Sequence, residues 1–100
     1  MLHTVNKSPF EKNSLDTALR LSMTGSAVLL IEDAVYGAMM GTSVEDKLRQ
    51  AVSERSVYVL GPDLKARGLD PSRVIEGIEI VDYLGFVDLV VKHDKTQSWF

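Results

Sequence analysis

The 100-residue chain contains no cysteine. That absence removes disulfides, thiolate metal clusters and thiol nucleophiles together, because each needs a cysteine sulfur. Neither GxGxxG nor GxxxxGK followed by Ser or Thr occurs, so the backbone cradle that holds a nucleotide's phosphates is missing. No GxSxG elbow is present to present a serine nucleophile. The two histidines, His3 and His93, stand far apart with no partner at metal-ligand spacing, whereas a zinc site asks for three or four ligands. No apolar run approaches the roughly 18 residues of a membrane span. The start, MLHTVNKSPF, shows no basic segment followed by an apolar one, so no secretory signal is expected and a cytoplasmic protein is. Basic residues are the minority, 11 against 14 acidic, for a net charge of −3. They are mixed with the acids along the chain, which gives no footprint for direct nucleic-acid binding.

What remains is a regular alternation of short elements in one domain, residues 1–100. A chain this short buries only about two-thirds of the surface its unfolded form exposes. Leu2 to Val5 reads as a strand, broken by Asn6, Lys7, Ser8 and Pro9. Asn13 or Ser14 caps a helix through Leu15, Ala18, Leu19 and Ser22, with Gly25 as its stop. Ala27 to Ile31, AVLLI, is a continuous apolar run of the kind that suits a strand covered on both faces of a parallel sheet. Glu32 and Asp33 end it, and Ala34 to Met40 follows as a short apolar helix closed by Gly41. Ser43 with Asp46 makes an approximate capping box. Behind it, Val44, Leu48, Ala51 and Val52 share one helical face.

Ser56 to Leu60 is the third strand, stopped by Gly61-Pro62. Asp63 caps a turn from Leu64 to Arg67, and Asp70-Pro71 marks another helical start. Ile78 to Val81 is the fourth strand, Asp82 caps a helix from Tyr83 to about Lys92, and Ser98 to Phe100 adds a last strand. The pattern predicts an α/β fold of three layers, with a mainly parallel five-stranded sheet and helices on both faces. No linker, repeat or low-complexity segment interrupts it.

In such sheets ligands bind beyond the C-terminal ends of the strands. That places Asn6, Lys7, Ser8, Asp33, Gly61, Asp63 and Asp82 where chemistry would occur. Capping is the plainer role for the three aspartates, and a solvated loop for Lys7 and Ser8. His3, inside a strand, reads as a hydrogen-bonded core or interface histidine. His93, near a helix end, faces the negative end of the dipole. No residue is a candidate for catalysis, cofactor binding or metal ligation.

Contact signals are stronger. Between Tyr83 and Lys92 only Gly85, Asp88 and Lys92 are not apolar, so that helix needs burial on more than one side. The short helix bearing Val35, Tyr36, Met39 and Met40 is apolar around much of its girth. Methionines of this kind are frequent at binding surfaces. Trp99 and Phe100, at the chain's end, need something to dock on, within the sheet or on a partner. The candidate interface is therefore Tyr36, Met39, Met40, Phe86, Val90, Trp99 and Phe100.

Several blocks in order, LHTVNKSPF, SAVLLIEDAVYGAMMGT, YVLGPDLKARGL, VDYLGFVDLVVKH and the final SW before Phe100, resemble the DsrH/TusB family of small sulfur-relay subunits. The resemblance implies a DsrE/F-like fold and a heterohexamer holding two copies each of three homologous chains. The expected partners are TusC/DsrF-like and TusD/DsrE-like subunits, with a homo-oligomer if the chain stands alone. It implies either persulfide relay toward 2-thiolation of a tRNA wobble uridine, in the TusB form, or oxidative sulfur metabolism, in the DsrH form. DsrH-type chains carry a cysteine in the first helix, at a position that falls on Ala18. Without it this chain is expected to be a TusB-like accessory subunit with the carrier cysteine on the TusD/DsrE-like partner. The competing class is a stand-alone small α/β enzyme or ligand-binding domain using the loops at Lys7, Ser8, Asp33 and Asp63.

Overall fold

Five short segments of the chain become five parallel strands. The computed structural model describes residues 1–22 and 25–100. In chain order the elements are β1 (Leu2–Val5), α1 (Ser14–Leu21), β2 (Ala27–Leu30), a 3-10 helix (Glu32–Ala38), α2 (Glu45–Glu54), β3 (Ser56–Leu60), α3 (Gly61–Ala66), a 3-10 turn (Pro71–Arg73), β4 (Glu79–Val81), α4 (Tyr83–Lys92) and β5 (Thr96–Trp99). The strand order is β4-β3-β2-β1-β5 and every pairing is parallel. The sheet expected to be mainly parallel is thus parallel throughout.

This order decides the layers. The crossovers from β1 to β2, β2 to β3 and β3 to β4 step the same way along the sheet, and right-handed connections then lie on one face. The last crossover steps back from β4 past β1 to β5, so α4 must lie on the other. Packing follows suit. One core joins Val5, Val28, Leu30, Val57 and Val59 of the strands to Leu15 and Ala18 of α1, Leu48 and Ala51 of α2, and Leu64 of α3. The second, on the opposite face, is smaller: Leu2, Ala27 and Leu29 with Leu89 of α4, and Phe86 packed at its margin. Side chains that alternate along each strand supply the two faces in turn.

Several local expectations change because the partners come from distant segments. The helix expected from Ala34 to Met40 is a 3-10 helix ending at Ala38, since Met39 turns extended and bridges antiparallel to Val74. The backbone N–H of Met40 then donates to the Arg73 carbonyl at 2.8 Å, and that of Ile75 to Ala38 at 2.9 Å. The Ser43–Asp46 box does not form. Instead Glu45 reaches back to accept the Gly41 N–H, and Thr42 Oγ1 accepts that of Val44. No side chain caps α1 at Asn13. Ser14 Oγ donates to the carbonyl of Phe100 at 2.8 Å, tying the chain's last residue to its first helix. That helix ends at Leu21, short of Gly25, with the Ser22 hydroxyl donating to the Leu19 carbonyl at 3.0 Å.

Asp63 does not cap its own turn, because α3 already starts at Gly61 with Pro62 in its first turn. The Asp70 and Asp82 caps are as expected: their carboxylates accept from Ser72 N–H at 2.9 Å and Gly85 N–H at 2.8 Å.

Gly85 also lets α4 approach the sheet. A Cβ built there would stand 2.9 Å from the Cβ of Val81. Alanine favours a helix interior by about 1 kcal/mol over glycine, but relieving an overpacked contact costs about 1–3 kcal/mol. Gly85→Ala is therefore expected to lower stability by roughly 1 kcal/mol, read from the urea midpoint at unchanged slope. A raised midpoint would mean that α4 is not held against Val81.

Candidate partner interface

The C-terminal ends of the strands, where chemistry was sought first, are occupied by structural bonds. Ser8 Oγ accepts the Phe10 N–H at 3.2 Å. Asp33 pairs with Arg67 at 2.9 Å. The Asp63 carboxylate accepts the N–H of Glu32 at 2.6 Å. Glu32 is the one non-glycine residue among those described with positive φ, at 51°. Asp63 thus steadies the strained step from β2 into the 3-10 helix. Asn6 Oδ1 is buried without a hydrogen-bond partner among the described residues. No group of three or more His, Asp or Glu among the described residues is placed to hold a metal ion.

The seven interface candidates separate into used and unused surface. Met39 is buried in the larger core, and Met40 and Trp99 pack against it. Phe86 packs at the smaller core, and Tyr36 is half-buried. Only Val90, at 41%, and Phe100, at 75%, are exposed. Met39 therefore cannot be offered to a partner by the folded chain, since its apolar surface is spent on its own 3-10 segment.

Trp99 docks inside the molecule. Its Nε1–H donates to Nδ1 of His3 at 3.1 Å, with the rings stacked at 26° and 6.2 Å between centroids. His3 is thereby the neutral tautomer protonated at Nε2. Burial chiefly, with the N-terminal amine and Arg55, holds its pKa below the usual imidazole value. His93 ends α4 as its C-cap. Burial first, then the N-terminal amine and Lys92, lower its pKa despite Asp94.

The larger unused surface belongs to residues outside the candidate set. On α4, Leu89 alone is buried, while Tyr83, Leu84, Val87 and Val91 are exposed beside Val90. At 100° per residue these five form an arc opposite Leu89, flanked by Asp88 and Lys92. Helical spacing alone gives α4 one broad apolar arc, from Leu89 through Phe86 and Val90 to Leu84, with Gly85, Asp88 and Lys92 as a narrow polar stripe. Which part of it meets the sheet depends on how Gly85 seats against Val81 and Phe86 against the smaller core, and the spacing does not carry that.

The fold is thus an open, all-parallel α/β domain that leaves one helix face apolar and uncovered. It is shared at low identity with the ychN protein from E. coli, with a TM-score of 0.82 and 19% identity over 97% of both chains. A protein of unknown function, MTH1491 from Methanobacterium thermoautotrophicum, matches with a TM-score of 0.74 and 12% identity, covering 97% of this chain and 96% of that one.

The chain belongs to the DsrH family: the family model described as DsrH like protein matches residues 7–96. It is 36% identical over 99 residues to Protein TusB of Pectobacterium parmentieri, covering 99% of this chain and 100% of that protein. Protein TusB of Escherichia coli O81 (strain ED1a) is 39% identical over 99 residues with the same coverage.

The His3–Trp99 bond generates a pH dependence. The folded pKa of His3 lies below its unfolded value, so acid protonates the unfolded chain first. The contribution is complete above about pH 6.5 and is lost as pH falls from there toward the folded pKa. Urea midpoints are expected to drop between pH 7.5 and 5.5, and His3→Gln is expected to flatten that slope measurably. Trp99 is the sole tryptophan, so its fluorescence reports the same step directly. An unchanged slope in the variant would refute the assignment.

Proposed function

We infer that this chain is the non-carrier, TusB-like subunit of a sulfur-relay assembly, seated beside homologous TusC/DsrF-like and TusD/DsrE-like chains. One observation carries the inference: a DsrH-family chain, related to TusB proteins along nearly its whole length, has no cysteine. Persulfide sulfur is received and passed on by a thiolate. The carrier must then be a partner's cysteine, on the TusD-like chain, and the output is 2-thiolation of the tRNA wobble uridine. Such a role belongs in the cytoplasm, and no helix among the described residues is long and apolar enough to cross a membrane.

The position to which the family's first-helix cysteine falls supports the same view. Ala18 is fully buried in the larger core, closed on every side. The alanine there has no thiol, and its side chain is taken up by the core. What the chain offers is shape and apolar surface: a rigid sheet, strand-end loops already tied by Asp33–Arg67 and Asp63–Glu32, and exposed residues on α4.

The test is native mass spectrometry of the chain co-expressed with TusC- and TusD-like proteins from the same source. A complex with two of each chain is expected. After loading with a persulfide donor, the added sulfur mass is expected on the TusD-like chain alone. A chain that ignores both homologues would overturn the proposal.

A further inference from the structure

Strand β5 is held more by polar contacts than by burial. Its residues are exposed or half-buried, and no buried member of either core lies on it. Trp99 alone packs at the margin of the larger core. The strand lies at the edge of the sheet and last in the sequence, so its departure leaves β1 to β4 and α1 to α4 in place. What fastens it is the ladder to β1, the Thr4–Ser98 hydroxyl pair, the Ser14 bond to Phe100 and the Trp99–His3 bond. An indole N–H can only donate, so the last of these exists only while Nδ1 of His3 carries no proton.

We propose that β5 is an acid-released latch: a proton taken up at Nδ1 of His3 breaks the bond to Trp99, and residues 96–100 leave the sheet while both cores stay formed. Protonation sets N–H against N–H where a donor met an acceptor. In the ladders His3 stands opposite Val28 on β2 and Gln97 on β5, neither of them charged. The charges acting on it, the Met1 amine and Arg55 at the end of α2, are both positive and repel the imidazolium. On α1, Asp16 and Arg20 are exposed, and Asp16 is bound to Lys47. His3 is 4% exposed in the closed form and gains water on the side that Trp99 leaves. Burial chiefly keeps its folded pKa below the usual value. Opening therefore takes up a proton from about pH 6.5 downward, and acid favours it. The freed edge of β1 then carries unpaired backbone groups, a template onto which an extended strand can add. None of this depends on which homologues the chain joins.

Backbone amides on the two sides of β1 read the latch directly. Leu2 and Asn6 donate to the carbonyls of Lys95 and Trp99, whereas Ile31 donates to that of Val5 from the β2 side. The test is amide hydrogen exchange of the full chain, followed by NMR from about pH 7.5 to about pH 5 and corrected for intrinsic rates. Leu2 and Asn6 are expected to be at least about tenfold less protected than Ile31, because they open with β5 alone. Below about pH 6.5 their protection is expected to fall by up to about tenfold per pH unit, the limit for one coupled proton. His3→Asn keeps an acceptor oxygen near the place of Nδ1 but does not titrate, and is expected to remove that slope. His93→Gln, at the other histidine, is expected to leave it. Equal protection of the three amides would mean that β5 leaves only with the whole fold, and would overturn the latch. A wild-type protection at Leu2 and Asn6 that ignores pH would do the same, as would a slope lost in His93→Gln or kept in His3→Asn. Should His3→Asn fail to fold, the wild-type protections and the His93→Gln slope still decide.

Discussion

The parallel pairing of β5 to β1 is the constraint on which the rest of this domain depends. The first four strands march in one direction, and a fifth in sequence would otherwise extend the β4 edge. Because it pairs with β1, the final crossover has to span the sheet in reverse, and handedness then forces α4 onto the otherwise empty face. One face receives α1, α2, α3 and a 3-10 helix, and the other a single helix. Both the deep first core and the shallow second one are consequences of where β5 goes.

The chain secures that pairing with side chains as well as the ladder. Thr4 Oγ1 donates to Ser98 Oγ at 3.2 Å, Trp99 to His3, and Ser14 to the carbonyl of Phe100. These contacts join the two ends of the sequence, over separations of 86 to 96 residues. β5 is an edge strand whose residues are largely exposed, so its apolar burial is small and polar partners matter more. His3 is the most sensitive of them. A buried imidazole that accepts an indole proton cannot also be protonated at that nitrogen, so the strand that sets the topology is latched by a group that acid opens.

The first four strands were legible to within a residue, because AVLLI and SVYVL are apolar runs with turn residues on each side, whereas the fifth, expected from Ser98 to Phe100, runs from Thr96 to Trp99, its polar start being paired by β1 and not marked by apolarity. The caps at Asp70 and Asp82 were legible for the same reason: donor and acceptor lie two or three residues apart. Asp63 and Glu45 defeated local reading. Asp63 serves an amide 31 residues away at Glu32, and Glu45 serves Gly41 ahead of its own helix. Met39 left its helix because Val74, also distant in sequence, offered its backbone a bridge. The surplus of apolar surface was legible as a property of α4 but not as a face of it. Phe86, expected at the interface, packs on the sheet, while the smaller Val87 and Val91 meet water.

A cysteine-free subunit has a use that a merely inert one would not. Persulfide sulfur moves by thiolate attack, and any accessible thiol near its path competes according to its pKa and exposure. A neighbour that contributes surface but no thiol keeps the path single. With the Asp33 carboxylate paired to Arg67 and that of Asp63 accepting the Glu32 backbone N–H, this part of the sheet's rim is a set shape. Rigidity at this rim and apolar surface on α4 are what the fold presents outward.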